Sequence, residues 1–400
     1  MLIVQKYGGT SVGTLERISE VAKRVEKAKK LGHSLVIVVS AMSGETNKLI
    51  EFAKYFTNTP PRREMDLLLS SGERVTSSLL SIALSAKGID SVALTGRQAG
   101  IYTDNIHTGA RIDKIDSVQI TQYTKQGKVV VIAGFQGITN NGEVSTLGRG
   151  GSDLSAVAIA GSIKADLCEI YTDVDGVYTT DPRIERNAKK INRISYDEML
   201  ELASLGAKVL QSRSVELAKK LNVALVTRNS FNENEGTLIT KEENIMEKAL
   251  VSGIALDKNQ ARVTLRGVKD EPGIAAKIFN KLAKENINVD MIIQNIGLDG
   301  VTNLGFTVPK DEIEEAKRVM NKLNASKLLE FDPKVVKVSV VGLGMKSHSG
   351  VASKAFDTLA KENINIQMIS TSEIKVSMVI DKKYGELAVR ALHEAYHLDK

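Results

Sequence analysis

The chain contains no tryptophan and a single cysteine, and aromatic residues make up only 4% of its 400 positions. Its cores must therefore be built from aliphatic side chains. One cysteine excludes an intrachain disulfide. Cys168 lies in an apolar stretch, Ala165 to Ile170, and reads as a small buried hydrophobe rather than a reactive thiol. No basic segment followed by an apolar signal core opens the sequence. The longest apolar runs, such as Val129 to Phe135, are too short to span a bilayer. No membrane partner is expected, and cytoplasmic residence follows as the default. The formal net charge is +6, but acidic and basic residues are interspersed, with no basic tail and no aromatic-basic alternation. Nucleic acid is accordingly not an expected partner. A mild positive excess suits anionic substrates and solubility alike.

What is present is ordinary in composition and specific in arrangement. Hydrophobic residues at 42% and charged residues at 26% describe a globular chain long enough for two or three domains. The apolar run Leu2-Ile3-Val4 is followed by Gln-Lys-Tyr-Gly-Gly-Thr-Ser-Val-Gly. That pattern delivers Lys6 from a buried strand to a loop holding Gly8, Gly9 and Gly13. Residues Thr14 to Leu31 then keep a helical period through Leu15, Ile18, Val21, Val25 and Ala28. A strand, a glycine-rich turn, one lysine and a helix start form a phosphate site on paper; a tight turn with a solvated lysine would look the same. It is not a P-loop, because no G-x-x-x-x-G-K-[ST] occurs.

Short β-branched runs recur at Leu35 to Val39, Val92 to Leu94, Val129 to Ala133 and Leu167 to Tyr171. Segments of helical period, Met65 to Lys87 and Ser152 to Lys164, lie between them. This alternation predicts an α/β fold with a mostly parallel sheet sandwiched by helices, and ligands beyond the C-terminal strand ends. The chain turns polar from about Asn229, although Gly236 to Thr240 can serve as a last strand. The last third repeats itself. Leu-Ala-Lys-Glu-Asn-Ile-Asn occurs at 282–288 and again at 359–365, an offset of 77 residues that also relates Gly273 to Gly350, Phe279 to Phe356 and Met291 to Met368. A period of this length predicts two copies of one small domain. The expected divisions are 1–244 for the first domain, 245–258 for a strand or linker, 259–330 for the first copy and 331–400 for the second.

Five motifs appear in order: Lys6-Tyr7-Gly8-Gly9-Thr10-Ser11, Ser40-Ala41-Met42-Ser43, Ser71-Gly72-Glu73, Gly148-Arg149-Gly150-Gly151-Ser152-Asp153, and Tyr171-Thr172-Asp173 running on through Tyr178 to Arg183. Together they resemble the aspartate kinases of the amino-acid kinase superfamily, over essentially the whole chain. The repeat resembles a tandem pair of ACT domains, α+β modules of βαββαβ order. The resemblance implies an amino-acid-kinase fold followed by two ACT domains. It implies ATP-dependent phosphorylation of the side-chain carboxylate of L-aspartate to 4-phospho-L-aspartate, the entry to lysine, threonine and methionine synthesis. ATP with Mg2+ is the implied co-substrate, with no bound organic cofactor and no protein ligand named for the metal. Glutamate kinases, kinases of N-acetylated amino acids and a silent amino-acid sensor are the rival readings; Glu73 with Arg149 as an amine and carboxylate clamp disfavours an N-acetylated substrate.

The chemistry agrees with what is missing. An aspartate carboxylate is ionised at neutral pH, its reference pKa being about 3.9, so no strong base is required. The obstacle is repulsion from the γ-phosphate, which asks for positioning and cationic stabilisation. His33, His107, His348, His393 and His397 all fall outside the motifs, and H-R-D and D-F-G signatures are absent. Lys6 is the expected catalytic cation, with the backbone amides of Tyr7, Gly8 and Gly9 assisting and Ser40 facing the nucleotide phosphates. An Arg149 fork between glycines suits a carboxylate, although a solvated loop arginine is the plain alternative. Ser152 and Asp153 would serve equally as helix N-caps or as ligand contacts. The resemblance assigns Glu73, Arg149 and Ser152 to aspartate, with Glu73 on its α-ammonium, and leaves Asp153 orienting either Lys6 or that amine. It places Thr172, Asp173, Tyr178, Asp181, Arg183, Lys208 and Val209 at the nucleotide. The Asp173-Val174-Asp175-Gly176 turn lacks the spacing and the glutamate of a calcium loop. In the ACT pair the resemblance points to Asp270, Gly273, Ile274, Ala275 and Gln294 of one copy and to Asn365, Ile366 and Thr371 of the other, binding lysine, threonine or both. Assembly is expected as a homo-oligomer through the ACT domains, or with a 246–400 chain started internally at Met246.

Overall fold

The computed structural model describes residues 1–204, 209–242, 250–295, 300–323, 328–343, 345 and 350–400. They form two compact units. Residues 1–177, 190–203 and 209–242 make the first; residues 178–189 and the described residues from 250 onward make the second.

The first unit runs β1 (Leu2–Tyr7), α1 (Leu15–Lys30), β2 (Ser34–Val39), α2 (Glu45–Phe56), α3 (Arg62–Leu69), α4 (Ser71–Ser85), β3 (Ser91–Leu94), β4 (Ile101–Thr103) and β5 (Ile112–Ile115). It continues with α5 (Val118–Lys125), β6 (Val129–Ala133), β7 (Gln136–Thr139), β8 (Val144–Thr146), α6 (Gly151–Ser162), β9 (Leu167–Thr172) and β10 (Arg193–Ser195). α7 (Tyr196–Ser204), α8 (Ser212–Leu221), β11 (Leu225–Asn229) and β12 (Thr237–Thr240) complete it. Among the described residues its main sheet has the order β10-β12-β11-β9-β1-β2-β6-β3. Every pair in it is parallel except β11 with β12. A smaller sheet, β5-β4-β7-β8, stands beside it. The central strands are apolar throughout because helices cover both faces. On one face Ile18, Val21 and Val25 of α1 and Leu80 and Leu84 of α4 pack on Ile3, Tyr7, Leu35 and Ile37.

α6 covers the other face and is buried along Gly151 to Ala160. A helix without a polar side must be enclosed, which explains its run of small residues, Gly-Ser-Asp-Leu-Ser-Ala-Val-Ala-Ile-Ala. Thr14 caps α1 through its hydroxyl, which accepts the Arg17 amide at 3.3 Å, rather than starting the helix as its period suggested. The single helix expected over Met65 to Lys87 is two, parted at Ser70. The hydroxyls of Ser70 and Ser71 turn back onto the carbonyls of Leu67 and Leu68, competing with the helix ladder. The break places Glu73 in the first turn of α4.

The second unit contains β13 (Gly253–Lys269), α9 (Ile274–Lys284), β14 (Ile292–Gln294), β15 (Val301–Pro309), α10 (Ile313–Leu323), β16 (Leu328–Val341), α11 (Val351–Lys361), β17 (Ile366–Thr371), β18 (Lys375–Asp381) and α12 (Gly385–Ala395). Its strands form one antiparallel sheet ordered β14-β15-β13-β16-β18-β17. α9 and α10 enclose one core and α11 and α12 another. The two modules exchange strands. Gly253–Asp257 of β13 pairs with Val341–Lys337 of β16, beside β18, whereas Arg262–Arg266 pairs with Asp332–Leu328. The fourth strand of the second module thus comes from residues before the first. Within the stretch expected as a strand or linker, 253–257 is strand, and 178–189, inside the expected first domain, groups with the second unit. Thr179 and Thr180 are buried in the second unit. There the Thr179 carbonyl accepts the Ile254 amide at 2.7 Å and its hydroxyl meets His393 Nε2 at 2.8 Å.

Candidate active site

Alternation along β1 decides what faces the site. Gln5 and Tyr7 point toward α1; Lys6 between them points toward α6. There its ammonium lies 2.6 Å from Asp153 Oδ1, and both side chains are only 11% exposed. The ends of the central strands are stitched together: Gly8 N–H donates to Tyr171 O at 3.2 Å, Ser40 N–H to Tyr7 O at 3.1 Å and Gly134 N–H to Val39 O at 3.0 Å. The Gly8 amide is therefore engaged in holding the loop. Cys168 is fully buried, and burial pushes its thiol far above the ordinary range.

Ser152 and Asp153 are not caps. The N-cap of α6 is Gly150, left-handed at φ 71° and without a side-chain cap. That leaves the Asp153 carboxylate available to Lys6, the contact seen here. Arg149 is exposed between Gly148 and Gly150, at φ 75° and 71°. A Cβ on Gly150 would stand 2.0 Å from Gln211 Cγ, so only glycine fits the turn.

Glu73 is 4% exposed. Its Oε1 accepts the Ala41 amide at 3.1 Å, which ties α4 to the Ser40-Ala41 motif. Its Oε2 is buried with no hydrogen-bond partner among the described residues. Burial pushes the carboxyl up to about 7, against the lowering effect of the amides at Glu73 and Ala41. α4 comes close because residue 72 is glycine: a Cβ there would meet the Ala41 Cβ at 2.7 Å.

At the expected nucleotide edge, Thr172 ends β9 and its hydroxyl donates to Asp173 Oδ1 at 3.1 Å. Val209 is half-buried in the same unit, and Lys208 lies outside the described residues. Tyr178, Asp181 and Arg183 belong to the second unit. Arg183 donates to both Asp181 oxygens, at 3.0 and 2.8 Å, and this holds the Asp181 carboxyl below its ordinary value.

Two features escaped the sequence reading. Behind Lys6, Glu169 accepts from Gln5 at 2.8 Å and Tyr171 OH at 3.2 Å and pairs with Arg228 at 3.1 Å, while Tyr7 stacks on Tyr171 at 4.7 Å. The signal was Gln5 and Glu169 inside otherwise apolar strands. Phe135 is left-handed at φ 67° immediately before Gln136 and packs against Gly151, a placement no period announces.

The expected effector residues fall into two groups at opposite ends of the six-stranded sheet. Gln294 closes β14 at one edge; Ile366 and Thr371 bound β17 at the other. Gly273 is the left-handed N-cap of α9, ahead of Ile274 and Ala275. Asp270 and Asn365 are exposed.

The family model of the amino acid kinase family matches residues 1–229, and the ACT domain model matches 263–323 and 338–396. An aspartokinase of Helicobacter pylori strain J99 is 62% identical over 405 residues, covering 100% of both chains. The chain belongs to the aspartate kinases. An aspartate kinase of Pseudomonas putida is 54% identical, over 100% of this chain and 98% of that one. Among solved structures, aspartate kinase from Synechocystis is 42% identical, with a TM-score of 0.57 over 99% of this chain and 70% of that chain. E. coli aspartokinase III in complex with lysine and aspartate, in its T state, is 25% identical with a TM-score of 0.79 over 98% and 99% of the two chains. The α/β unit with two ACT modules is the architecture of this aspartate kinase family.

Proposed function

We propose that the chain transfers the γ-phosphoryl group of ATP to the side-chain carboxylate of L-aspartate, giving ADP and 4-phospho-L-aspartate. The observation that carries this reading is Glu73: a buried carboxylate with one oxygen satisfied by an amide and the other unpaired among the described residues. Such a group is costly unless a cation joins it. The α-ammonium of an amino-acid substrate supplies one. An N-acetylated substrate would not.

Arg149 holds the α-carboxylate, aided by Ser152. The side-chain carboxylate is then directed toward Lys6, whose charge offsets the repulsion between two anions as the phosphoryl passes. Asp153 fixes the Lys6 ammonium by a 2.6 Å contact. No base is needed, and the absence of histidine from the motifs is consistent with that. ATP enters with Mg2+ as part of the substrate. Gly9, Ser40, Thr172, Asp173 and Val209, all of the first unit, are its expected contacts; Tyr178, Asp181 and Arg183, which belong to the second unit, are kept as nucleotide contacts on their motif alone. Lys208 is kept as a nucleotide contact on its motif alone.

The ACT modules bind an inhibitory amino acid, lysine, threonine or both. Because Gln294 and Thr371 lie on opposite sheet edges, a site containing both needs β14 of one chain beside β17 of another. Homo-oligomerisation is therefore part of the proposal. Met246 lies outside the described residues; an internally started 246–400 partner would show in the mass spectrum of untagged protein. A coupled assay of ADP release with L-aspartate, L-glutamate and N-acetyl-L-glutamate tests the reaction. Turnover only with aspartate is expected, and turnover only with either rival overturns it.

A further inference from the structure

Asp66, on α3, is fully buried and has no role in the chemistry above. Its carboxylate gathers donors from two other stretches of the first unit. Oδ1 accepts the Thr108 amide at 3.0 Å and the Thr146 hydroxyl at 2.5 Å. Oδ2 accepts the same amide at 3.1 Å and lies 2.7 Å from His107 Nδ1. Thr108 is left-handed at φ 67°, a conformation that a β-branched residue adopts only under external constraint. The doubly accepted amide is that constraint.

The captured loop is packed backbone to backbone against the strand that leads to Arg149. Ala110 N–H donates to Thr146 O at 2.9 Å. A Cβ on Gly148 would be 3.4 Å from Thr108 O and 3.6 Å from Gly109 Cα. From α8, Arg213 donates to Leu147 O at 2.9 Å and to Ala110 O at 3.3 Å, bracing the same two stretches. Arg149 itself is exposed in a turn between two left-handed glycines, where its own backbone supplies little rigidity.

We propose that Asp66 is a positioning residue for Arg149: by locking residues 107–108 to Thr146 it fixes the exit of β8, and with it the place where the guanidinium meets the substrate carboxylate. This rests on the reading of Arg149 as the ligand of the α-carboxylate. Asp66 touches no substrate. Its removal acts on aspartate through one side chain and leaves the nucleotide contacts in place. A purely structural role would weaken both substrates together.

The test is a double-mutant cycle on the full-length enzyme. Asp66→Asn and Thr146→Val are made alone and on Arg149→Ala, and the KM for aspartate, the KM for ATP and kcat are measured. In the native background Asp66→Asn is expected to lower kcat/KM for aspartate by roughly 10–100-fold, the scale of a 1 Å misplacement, with ATP KM unmoved. Thr146→Val removes one hydrogen bond at nearly constant shape and should give a smaller loss of the same kind; it carries the test if Asp66→Asn does not fold. On Arg149→Ala both losses should vanish to within twofold. Losses that multiply with Arg149→Ala, or a rise in ATP KM matching that for aspartate, overturn the proposal. An unchanged aspartate KM in Arg149→Ala alone overturns the reading of Arg149 first, and is seen without any Asp66 variant.

Discussion

Lys6 and Glu73 are both buried charges, and they differ in whether a partner is already present. Lys6 has Asp153, and on the proposed mechanism its loss removes charge where charge develops during transfer. Lys6→Ala should lower kcat by about 10²–10³-fold with little change in aspartate KM, as steady-state kinetics would show. Near-normal turnover would remove Lys6 from the mechanism. Glu73 Oε2 has no hydrogen-bond partner among the described residues, and burial raises the carboxyl to about 7. The folded protein thus holds a proton that the unfolded chain has released. That contribution to stability is complete below the ordinary carboxylate range and is lost as pH rises through about 7. Glu73→Gln should therefore stabilise the ligand-free enzyme at pH 8, on the order of 1–3 kcal/mol, and change little at pH 5. Thermal melts at the two pH values check it. The same titration predicts that aspartate KM in the native enzyme climbs as pH falls below about 7, because only the carboxylate form pairs with an ammonium.

Elements place these residues by their ends rather than their lengths. α6 begins on a left-handed glycine packed against Gln211, and α4 begins where two serine hydroxyls end α3. Gly150→Ala would force a left-handed alanine, costing about 1–2 kcal/mol, and also drive Cβ into Gln211. It should raise aspartate KM well above any change in ATP KM. Gly161→Ala, at the far end of α6 where a Cβ would meet Leu221 Cδ1 at 2.5 Å, is the matched control. It should lower the melting temperature and leave both KM values alone. Equal kinetic effects from the two would mean that α6 acts only through stability. The element types themselves were legible in the residues: apolar runs at β1, β2, β6 and β9 are strands, and the repeated heptapeptide sits at the same helix end in both modules. The break at Ser70 was not legible, because the apolar period of Met65 to Lys87 continues across it while hydroxyl back-bonding stops the helix.

At the scale of the molecule, a stretch read as part of the kinase is folded elsewhere. Residues 178–189 are held in the second unit by the Thr179 contacts to Ile254 and His393, and Ile184 packs on the α11–α12 core. A 1–244 truncation removes all three supports. If Tyr178, Asp181 and Arg183 contact nucleotide, the truncated chain should show a strongly raised ATP KM in the coupled assay even where its aspartate site is intact. An unchanged ATP KM would take the segment out of the nucleotide site. Effector control belongs to the same scale. An amino acid inhibits only by preferring one state, and coupling of about 1–3 kcal/mol, or 5–150-fold, is usual. Gln294→Ala should relieve inhibition by lysine or threonine while leaving uninhibited kcat nearly intact. Calorimetry that detects neither amino acid on the native enzyme would leave the ACT pair as an assembly module.

The sequence by itself determined the family and the kind of element that carries each motif. Motif order identified the kinase, period identified helices and strands, and the 77-residue offset identified the duplicated module. These are local signals, set by residues within a few positions of one another or by exact repetition. Only the tertiary structure decided that Asp153 meets Lys6 instead of capping α6, that Glu73 is buried with one oxygen unpaired among the described residues, and that residues 253–257 complete the second module. The reason is the same in each case. A capping residue and an ion-pair partner have the same side chain, and a strand carries no mark of the neighbour it will pair with. What distinguishes them is burial and distance between residues far apart in the chain, such as 6 and 153 or 253 and 341, and those exist only once the sheet has formed.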